Sequence, residues 1–253
     1  MRDEGQSGRR VRQRSALITG VAFAAVAVSG IGGAWASETG NQTPSAAKLV
    51  TRNVHPLRTS IGSLIIFGEV VNRGPTPAAD VGVGVGLLND RGERLARGAT
   101  LKTSVNILRP GKTAVWVAQM SDNPKRWKRM QFQVVEQIGA EAARKQDYPA
   151  FKVRGTRLAP ENPGFSQKVT GTVVNTGKKA AKVGAVTVAL YEGARLVYAT
   201  NLGFLYPYST TQIVAPGKSA PFKASILGYT KKPGKIVTYV RASTKGANGF
   251  YLP

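Results

Sequence analysis

The most concentrated group of chemically useful side chains in the sequence is a short cationic segment around one indole ring. Its members are Lys125, Arg126, Trp127, Lys128 and Arg129. Ammonium and guanidinium groups at this spacing attract phosphate and carboxylate oxygens, and an aromatic ring among them offers a face for stacking. The segment predicts a polyanion-binding loop; the alternative is a solvated loop whose indole covers the end of a core.

Further candidates for ligand contact lie in the second half of the chain. Lys178 and Lys179 extend the positive charge, and Tyr206 and Tyr208 add two aromatic rings to a region rich in strand-forming residues. The two tyrosines have no clear counterpart in the first half of the chain, so they are candidates for a contact specific to this region. We expect these four residues to act as secondary contacts.

The composition excludes most catalytic chemistry. The 253 residues include no cysteine and one histidine, His55, which excludes a thiol nucleophile, a thiolate-ligated metal and a histidine-rich metal site. A Ser-His-Asp triad would have to use His55. Asp90 and Glu93 lie beside Arg91 and Arg94 in a turn-like segment, where we expect solvated charges rather than an acid–base pair. The sequence predicts neither a cofactor nor a metal, and a hydrolase is the weakest of the alternatives.

The balance of charge points to anionic partners. The chain has 36 Lys and Arg against 13 Asp and Glu, a formal net charge of +23, while 42% of its residues are hydrophobic. That hydrophobic fraction is typical of a globular protein. A surface this basic raises the local concentration of any polyanion and makes the binding depend on salt.

The N-terminal segment has the pattern of a secretory signal peptide. Residues 1–14 carry five arginines, residues 15–37 carry no charge, and the small residues Ala34 and Ala36 flank Trp35 as an A-x-A cleavage site. We therefore expect residues 1–36 to be removed after Ala36. An uncleaved membrane anchor is the alternative, because the apolar stretch is about 20 residues long. The general secretory route is favoured over the twin-arginine route, since Arg12 stands where that signal needs an apolar residue.

The remainder of the chain contains an internal repeat. The heptapeptide at residues 68–74, GEVVNRG, recurs at 171–177 as GTVVNTG, and a Pro-Gly segment at 108–116 recurs at 214–222. A repeat of this length is one domain duplicated rather than a solenoid. The sequence predicts domains at 46–138 and 151–253, joined by a linker at 139–150.

Each copy has the pattern of antiparallel β-strands. Val81, Val83, Val85 and Leu87 alternate strictly with glycines, which is the period-two pattern of a strand with one buried face. Pro-Gly pairs and Asp-Arg-Gly or Glu-Gly turns recur every 8–12 residues, as in an antiparallel Greek-key sandwich. The predicted fold class is all-β, with two tandem Ig-like β-sandwich domains after the signal peptide.

The repeated motifs resemble the FxLYD domain family. The resemblance rests on the GxVxNxG segment, on Val188-Ala-Leu-Tyr-Glu192 in place of the name-giving motif, and on Ala215-Pro-Gly-Lys-Ser-Ala-Pro-Phe222. The first copy lacks the tyrosine of the name-giving motif. The resemblance implies small Ig-like β-sandwiches of secreted and envelope proteins, with an extracytoplasmic and non-enzymatic role and no catalytic residues to carry over.

Together these features predict a secreted, non-enzymatic binding or scaffold protein associated with the cell envelope. The expected partner is an anionic cell-wall or membrane-surface polymer, or another envelope protein. A secreted nucleic-acid-binding protein is the main alternative, because the same cations would also bind phosphates. No small-molecule substrate is indicated.

Overall fold

The computed structural model describes residues 47–59, 62–100, 102–136, 141, 144, 147–162, 166–205, 212–229 and 231–244. All of them belong to one compact unit, Thr43–Pro253. The predicted signal peptide, its cleavage residues Ala34 and Ala36, and the two candidate tyrosines Tyr206 and Tyr208 lie outside the described residues.

The first half of the chain forms a six-stranded antiparallel sheet and a two-stranded ribbon. The sheet has the order β1-β2-β7-β5-β4-β8, and β3 pairs with β6. β5 and β7 pair over only two residues, so the sheet curls there into two layers, β1-β2-β7 and β5-β4-β8. The strands are β1 (Leu49–Arg58), β2 (Leu64–Asn72), β3 (Ala78–Ala79), β4 (Val81–Leu88), β5 (Arg94–Thr100), β6 (Ile107–Leu108), β7 (Thr113–Met120) and β8 (Arg129–Glu136).

The second half repeats this arrangement in a seven-stranded sheet. Its order is β13-β11-β12-β14-β10-β9, with β15 on the other side of β11. Each strand therefore has a counterpart in the first half, and the predicted all-β fold is confirmed; the division into two separate domains at residues 139–150 stays a prediction. The strands are β9 (Phe151–Asn162), β10 (Ser166–Asn175), β11 (Ala181–Glu192), β12 (Arg195–Leu205), β13 (Ile213–Val214), β14 (Ser219–Leu227) and β15 (Lys235–Ser243).

A glycine under an aromatic ring lies at the centre of each core. Gly68 pairs with Trp116, and a Cβ atom at Gly68 would lie 2.7 Å from the indole Cζ2 atom. Gly171 pairs with Phe222, and a Cβ atom there would lie 2.7 Å from the ring Cε1 atom. Both rings are almost completely buried. The first glycine of the repeated GxVxNxG segment is therefore required by the close approach of a cross-strand ring.

The asparagine of the same segment closes a loop in each half. Asn72 is fully buried; its Nδ2 donates to the carbonyl oxygens of Thr76 (2.7 Å) and Leu108 (2.9 Å), and its Oδ1 accepts from the Gly74 N–H (3.0 Å). Asn175 repeats this set with the carbonyls of Lys179 and Val214 and the N–H of Gly177. Each side chain bonds three backbone groups of its loop, and the bonds to the Leu108 and Val214 carbonyl oxygens are buried.

The Pro-Gly segments form the turns that their sequence predicts. Gly111 and Gly217 both have φ of 68°, and the N–H of the next residue donates back across the turn, Lys112 to Arg109 and Lys218 to Ala215, both at 3.1 Å. Positive φ at the third position of a turn that begins with X-Pro is the type II geometry.

The two sheets pack against each other through a third apolar cluster, which is separate from the cores of the two halves. β2 and β7 point alternate side chains into the first core, among them Leu64, Ile66, Ala114 and Trp116. Their other side chains point away from that core. The outward set meets residues of β11 and β12, and the buried members of the cluster are Phe67, Val115, Ala189, Tyr191, Leu196 and Ala199. β2 is therefore buried on both faces, which explains its almost uninterrupted apolar sequence.

A carboxylate lies within this interface with three hydrogen-bond donors. Glu69 is 4% exposed and accepts from Arg52 Nε at 2.8 Å, Asn53 Nδ2 at 2.8 Å and the Tyr191 hydroxyl at 2.9 Å. Asn53 has φ of 48° at a bulge in β1, and its side chain also lies 3.3 Å from the Ala194 carbonyl oxygen. Burial, with Tyr239 and Glu69 nearby, raises the pKa of Tyr191, so its hydroxyl remains a donor.

We predict that Asn72→Ala and Asn175→Ala each lower the free energy of unfolding by about 2–4 kcal/mol, because each leaves buried backbone groups without partners. Urea unfolding measures the change. Asn89→Ala is the control: this side chain also accepts turn N–H groups, from Arg91 and Glu93, but in a solvent-exposed hairpin where water replaces it. Equal losses at the buried and exposed positions would contradict the argument.

We expect Tyr191→Phe to lower the free energy of unfolding by about 2 kcal/mol, which is the typical net contribution of a hydrogen bond to a charged group. Tyr229→Phe is the matched control, since its hydroxyl meets Glu192 at 3.5 Å on the exposed surface. The same unfolding experiment compares the two variants. If Tyr191→Phe lowers the free energy of unfolding no more than Tyr229→Phe does, the hydrogen bond from Tyr191 does not stabilise the Glu69 carboxylate.

Candidate polyanion-binding site

The predicted cationic segment forms the connection between β7 and β8. Lys125, Arg126, Lys128 and Arg129 are all exposed, and the Lys128 N–H donates to the Leu88 carbonyl oxygen at 2.8 Å. This bond ties the loop to the end of β4, so the four charges project from one end of the first sheet. Their side chains show no ion pair among the described residues.

Arg58, at the end of β1, joins the same surface. Its guanidinium donates to the Asn123 side-chain oxygen and, at 2.9 Å, to the Pro124 carbonyl oxygen, while Asn123 donates to the Gly62 carbonyl oxygen. Both acceptors are neutral, so neither forms an ion pair with Arg58. Arg58 cannot be recognised from the sequence, because it is 67 positions away from Lys125 and only the strand order, which places the ends of β1 and β7 at the same end of the sheet, brings the two together.

The β4–β5 hairpin lies next to the loop. Leu88 of β4 pairs with Arg129 of β8 on one side and with Arg94 of β5 on the other. The Arg129 guanidinium lies 3.3 Å from the position a Cβ atom would take at Gly92 in the hairpin turn. We call the surface made by this loop, Arg58 and the hairpin arginines the cationic end; its members are Arg58, Arg91, Arg94, Lys125, Arg126, Lys128 and Arg129.

Acidic residues of this region are few and exposed. Asp90 and Glu93 lie on the hairpin turn, as predicted for solvated charges, and Glu93 accepts from Asn89 Nδ2 at 2.6 Å. Asp122 accepts from the adjacent Asn123 N–H. None of the three is buried, so none can act as a desolvated acid or base. The cationic end thus has an excess of positive charge in an open, solvated surface.

Trp127 does not stand free among the cations. Its indole is half-buried and packs against the first core. The ring thus fixes the base of the loop, which is the structural role that the sequence left open as an alternative. A ligand can reach only the exposed part of the ring.

Lys178 and Lys179, the secondary candidates within the described residues, lie elsewhere. Lys178 and Lys179 are exposed in the turn after β10, whose backbone is held by Tyr148: its hydroxyl donates to the Lys179 carbonyl oxygen at 2.8 Å. This turn belongs to the second sheet, whereas the cationic end belongs to the first. The structure therefore does not merge these candidates into one continuous loop cluster with Lys125–Arg129.

His55 is half-buried at the contact between the two halves. Its ring centroid lies 5.9 Å from that of Phe67, and its Nε2 is buried without a hydrogen-bond partner among the described residues. Burial lowers the pKa of His55, and the positive charge of Arg195 lowers it further. A histidine that acts as a general base needs a hydrogen-bond acceptor that orients its second ring nitrogen. Neither the Phe67 ring nor the Arg195 guanidinium is such an acceptor.

Metal sites and membrane-spanning helices have no candidate among the described residues. Within the residues that the structure describes, no group of three or more His, Asp or Glu side chains could hold a metal ion. In the same part of the chain, no helix is long and apolar enough to cross a membrane.

We predict that acid destabilises the protein in part through His55. Its pKa in the folded state lies below the ordinary value of 6.5, so the unfolded chain binds more protons and stability falls as the pH drops through that value. Between pH 8 and pH 5, the free energy of unfolding should fall more steeply for the native protein than for His55→Gln. Parallel curves for the two proteins would mean that His55 titrates as an exposed group.

Comparison with known proteins adds little to this geometry. The chain matches no family model and no curated protein. Among solved structures it is similar to a transglutaminase from red sea bream, with 13% identity and a TM-score of 0.23, over 79% of this chain and 29% of that chain. The chain thus spans less than a third of that protein, and a likeness at this TM-score carries no argument.

Proposed function

We propose that this protein is a secreted, non-enzymatic binding protein of the cell envelope that holds an anionic polymer of the cell wall or membrane surface at the cationic end. The observation that carries the proposal is the convergence of exposed Lys and Arg side chains from three separate segments on one end of the first sheet. The signal-peptide pattern and the resemblance to the FxLYD family support an extracytoplasmic location.

The form of the cationic end favours a flexible polyanion over a small ligand. Its charges project into solvent from a loop, a strand end and a hairpin, and the exposed acids Asp90, Glu93 and Asp122 dilute them only partly. Such a surface binds through Coulomb attraction and release of counterions, which requires many weak contacts rather than a shaped pocket. Repeating phosphate or carboxylate groups supply those contacts.

Two features support this reading over the alternatives. Single-stranded nucleic acids are held by aromatic rings on which the bases stack, whereas Trp127 is half-buried against the core. A hydrolase would need a positioned base or nucleophile, and His55 lies against Phe67 with no carboxylate among its described contacts. Nucleic-acid binding is therefore the alternative that the binding experiment has to separate from binding to the cell envelope.

The test compares two variants that lose the same charge. One replaces Lys125, Arg126, Lys128 and Arg129 with alanine. The other replaces two arginines and two lysines that are equally exposed but lie in turns elsewhere: Arg73, Arg109, Lys112 and Lys218. Sedimentation with isolated cell walls and with phosphatidylglycerol vesicles should show much weaker binding for the first variant and a nearly native value for the second.

The salt dependence distinguishes the mechanisms. Binding at the cationic end should weaken steeply with salt, and the first variant should flatten that slope by as much as about 3. Equal losses in the two variants would mean that net charge alone drives binding. A clear preference for DNA over walls and vesicles of the same charge would replace the envelope proposal with the nucleic-acid alternative.

A further inference from the structure

A groove of about 430 Å³ opens between β9 and β15 in the second half of the chain. β9 contributes Phe151, Val153 and Thr156, and β15 contributes residues 235–238 and Val240. The segment just before β9 is bonded to the end of β15: the Tyr148 N–H donates to the Ala242 carbonyl oxygen at 3.2 Å, and Asp147 forms a β-bridge with Ser243. The groove lies beyond these contacts, where β9 and β15 run side by side without pairing.

The duplicated fold shows what fills this space in the first half. Phe132 of β8 pairs with Val85 of β4, and its ring meets Trp116 edge-on at 5.9 Å. The counterpart of this pair in the second half is Thr238 opposite Val188, and the counterpart of Trp116 is Phe222. Both aromatic side chains are thus replaced by smaller ones. The Thr238 Oγ1 is buried without a hydrogen-bond partner among the described residues.

The two strands that border the groove differ as templates for pairing. β9 is interrupted by a bulge at Gly155, where φ is 63°, and by Pro160, and both features block the addition of a strand. β15 pairs with β11 along one edge. Its residues Ile236–Val240 include neither Gly nor Pro, and among the described residues its second edge is bonded only near Ser243. β15 is therefore the strand that can accept a partner.

The charge around the groove selects the partner. Lys235 lines its mouth, and Lys152 and Arg154 are exposed on the outer side of β9. A strand added to β15 would point alternate side chains into the groove and the others toward these cations. Acidic side chains at the outward positions would pair with them.

We propose that the groove binds an extended acidic peptide segment of another protein, which pairs with the free edge of β15 and places an aromatic side chain in the space that Phe132 fills in the first half. Main-chain hydrogen bonds would provide affinity, and the aromatic pocket and the cations would provide specificity. This contact is separate from the cationic end and does not rest on it.

The probe is the labelled peptide acetyl-Glu-Val-Glu-Phe-Glu-Val-Glu-amide, and the measurement is fluorescence anisotropy with the full chain. Thr238→Phe restores the residue of the first half and fills the groove, so binding should weaken by about tenfold or more. Thr238→Val keeps the side-chain volume and should retain binding. A peptide with Ala in place of Phe should bind the native protein as weakly as the intact peptide binds Thr238→Phe.

Two further measurements separate strand pairing from simple attraction of charge. A peptide N-methylated at alternate residues keeps its charge but loses backbone donors, and it should lose binding even if Thr238→Phe proves poorly folded. The alanine variant of Arg73, Arg109, Lys112 and Lys218, which loses the same charge outside both proposed sites, should bind the probe as the native protein does. The proposal is overturned if the N-methylated peptide binds as well as the intact peptide. It is also overturned if the alanine variant loses binding while Thr238→Phe retains it.

Discussion

The arrangement of the two halves depends on the burial of one carboxylate at the face that they share. A charged group at this depth is strongly destabilising unless it is paired and hydrogen-bonded, and Glu69 finds its donors on both sides: Arg52 and Asn53 on β1 and Tyr191 on β11. The apolar contacts around it, such as Phe67 against Leu196 and its neighbours, provide the area. The carboxylate adds direction, because its donors meet it in only one register of the two sheets.

Much of the fold could be read from the sequence because its determinants are local. The GxVxNxG repeat marks a glycine under a ring and an asparagine that closes a loop, and both act within one half. The packing between the halves could not be read in the same way. The outward residues Phe67 and Val115 belong to strands that are apolar on both faces, so period two does not separate one burial from the other.

The candidate site shows the same division between local and non-local information. Lys125–Arg129 is evident as a run of cations, and its exposure follows from its place between β7 and β8. Arg58 and the hairpin arginines join it only through the strand order, which places the ends of β1, β4 and β7 together. The role of Trp127 could not be settled from the sequence, because whether an indole covers a core or faces a ligand depends on what lies beneath it.

The two halves differ at equivalent positions although they share the same strand arrangement. The connection between the last two strands and the first residue of the last strand are basic in both halves, with Lys125–Arg129 in the first and Lys231, Lys232 and Lys235 in the second. Only the first of these loops contains a tryptophan anchored in a core. The second half instead has Thr238 where the first has Phe132, so its core opens into a groove beside its own basic loop. Positive charge is thus common to both halves, and the difference in core packing gives each half a different candidate contact surface.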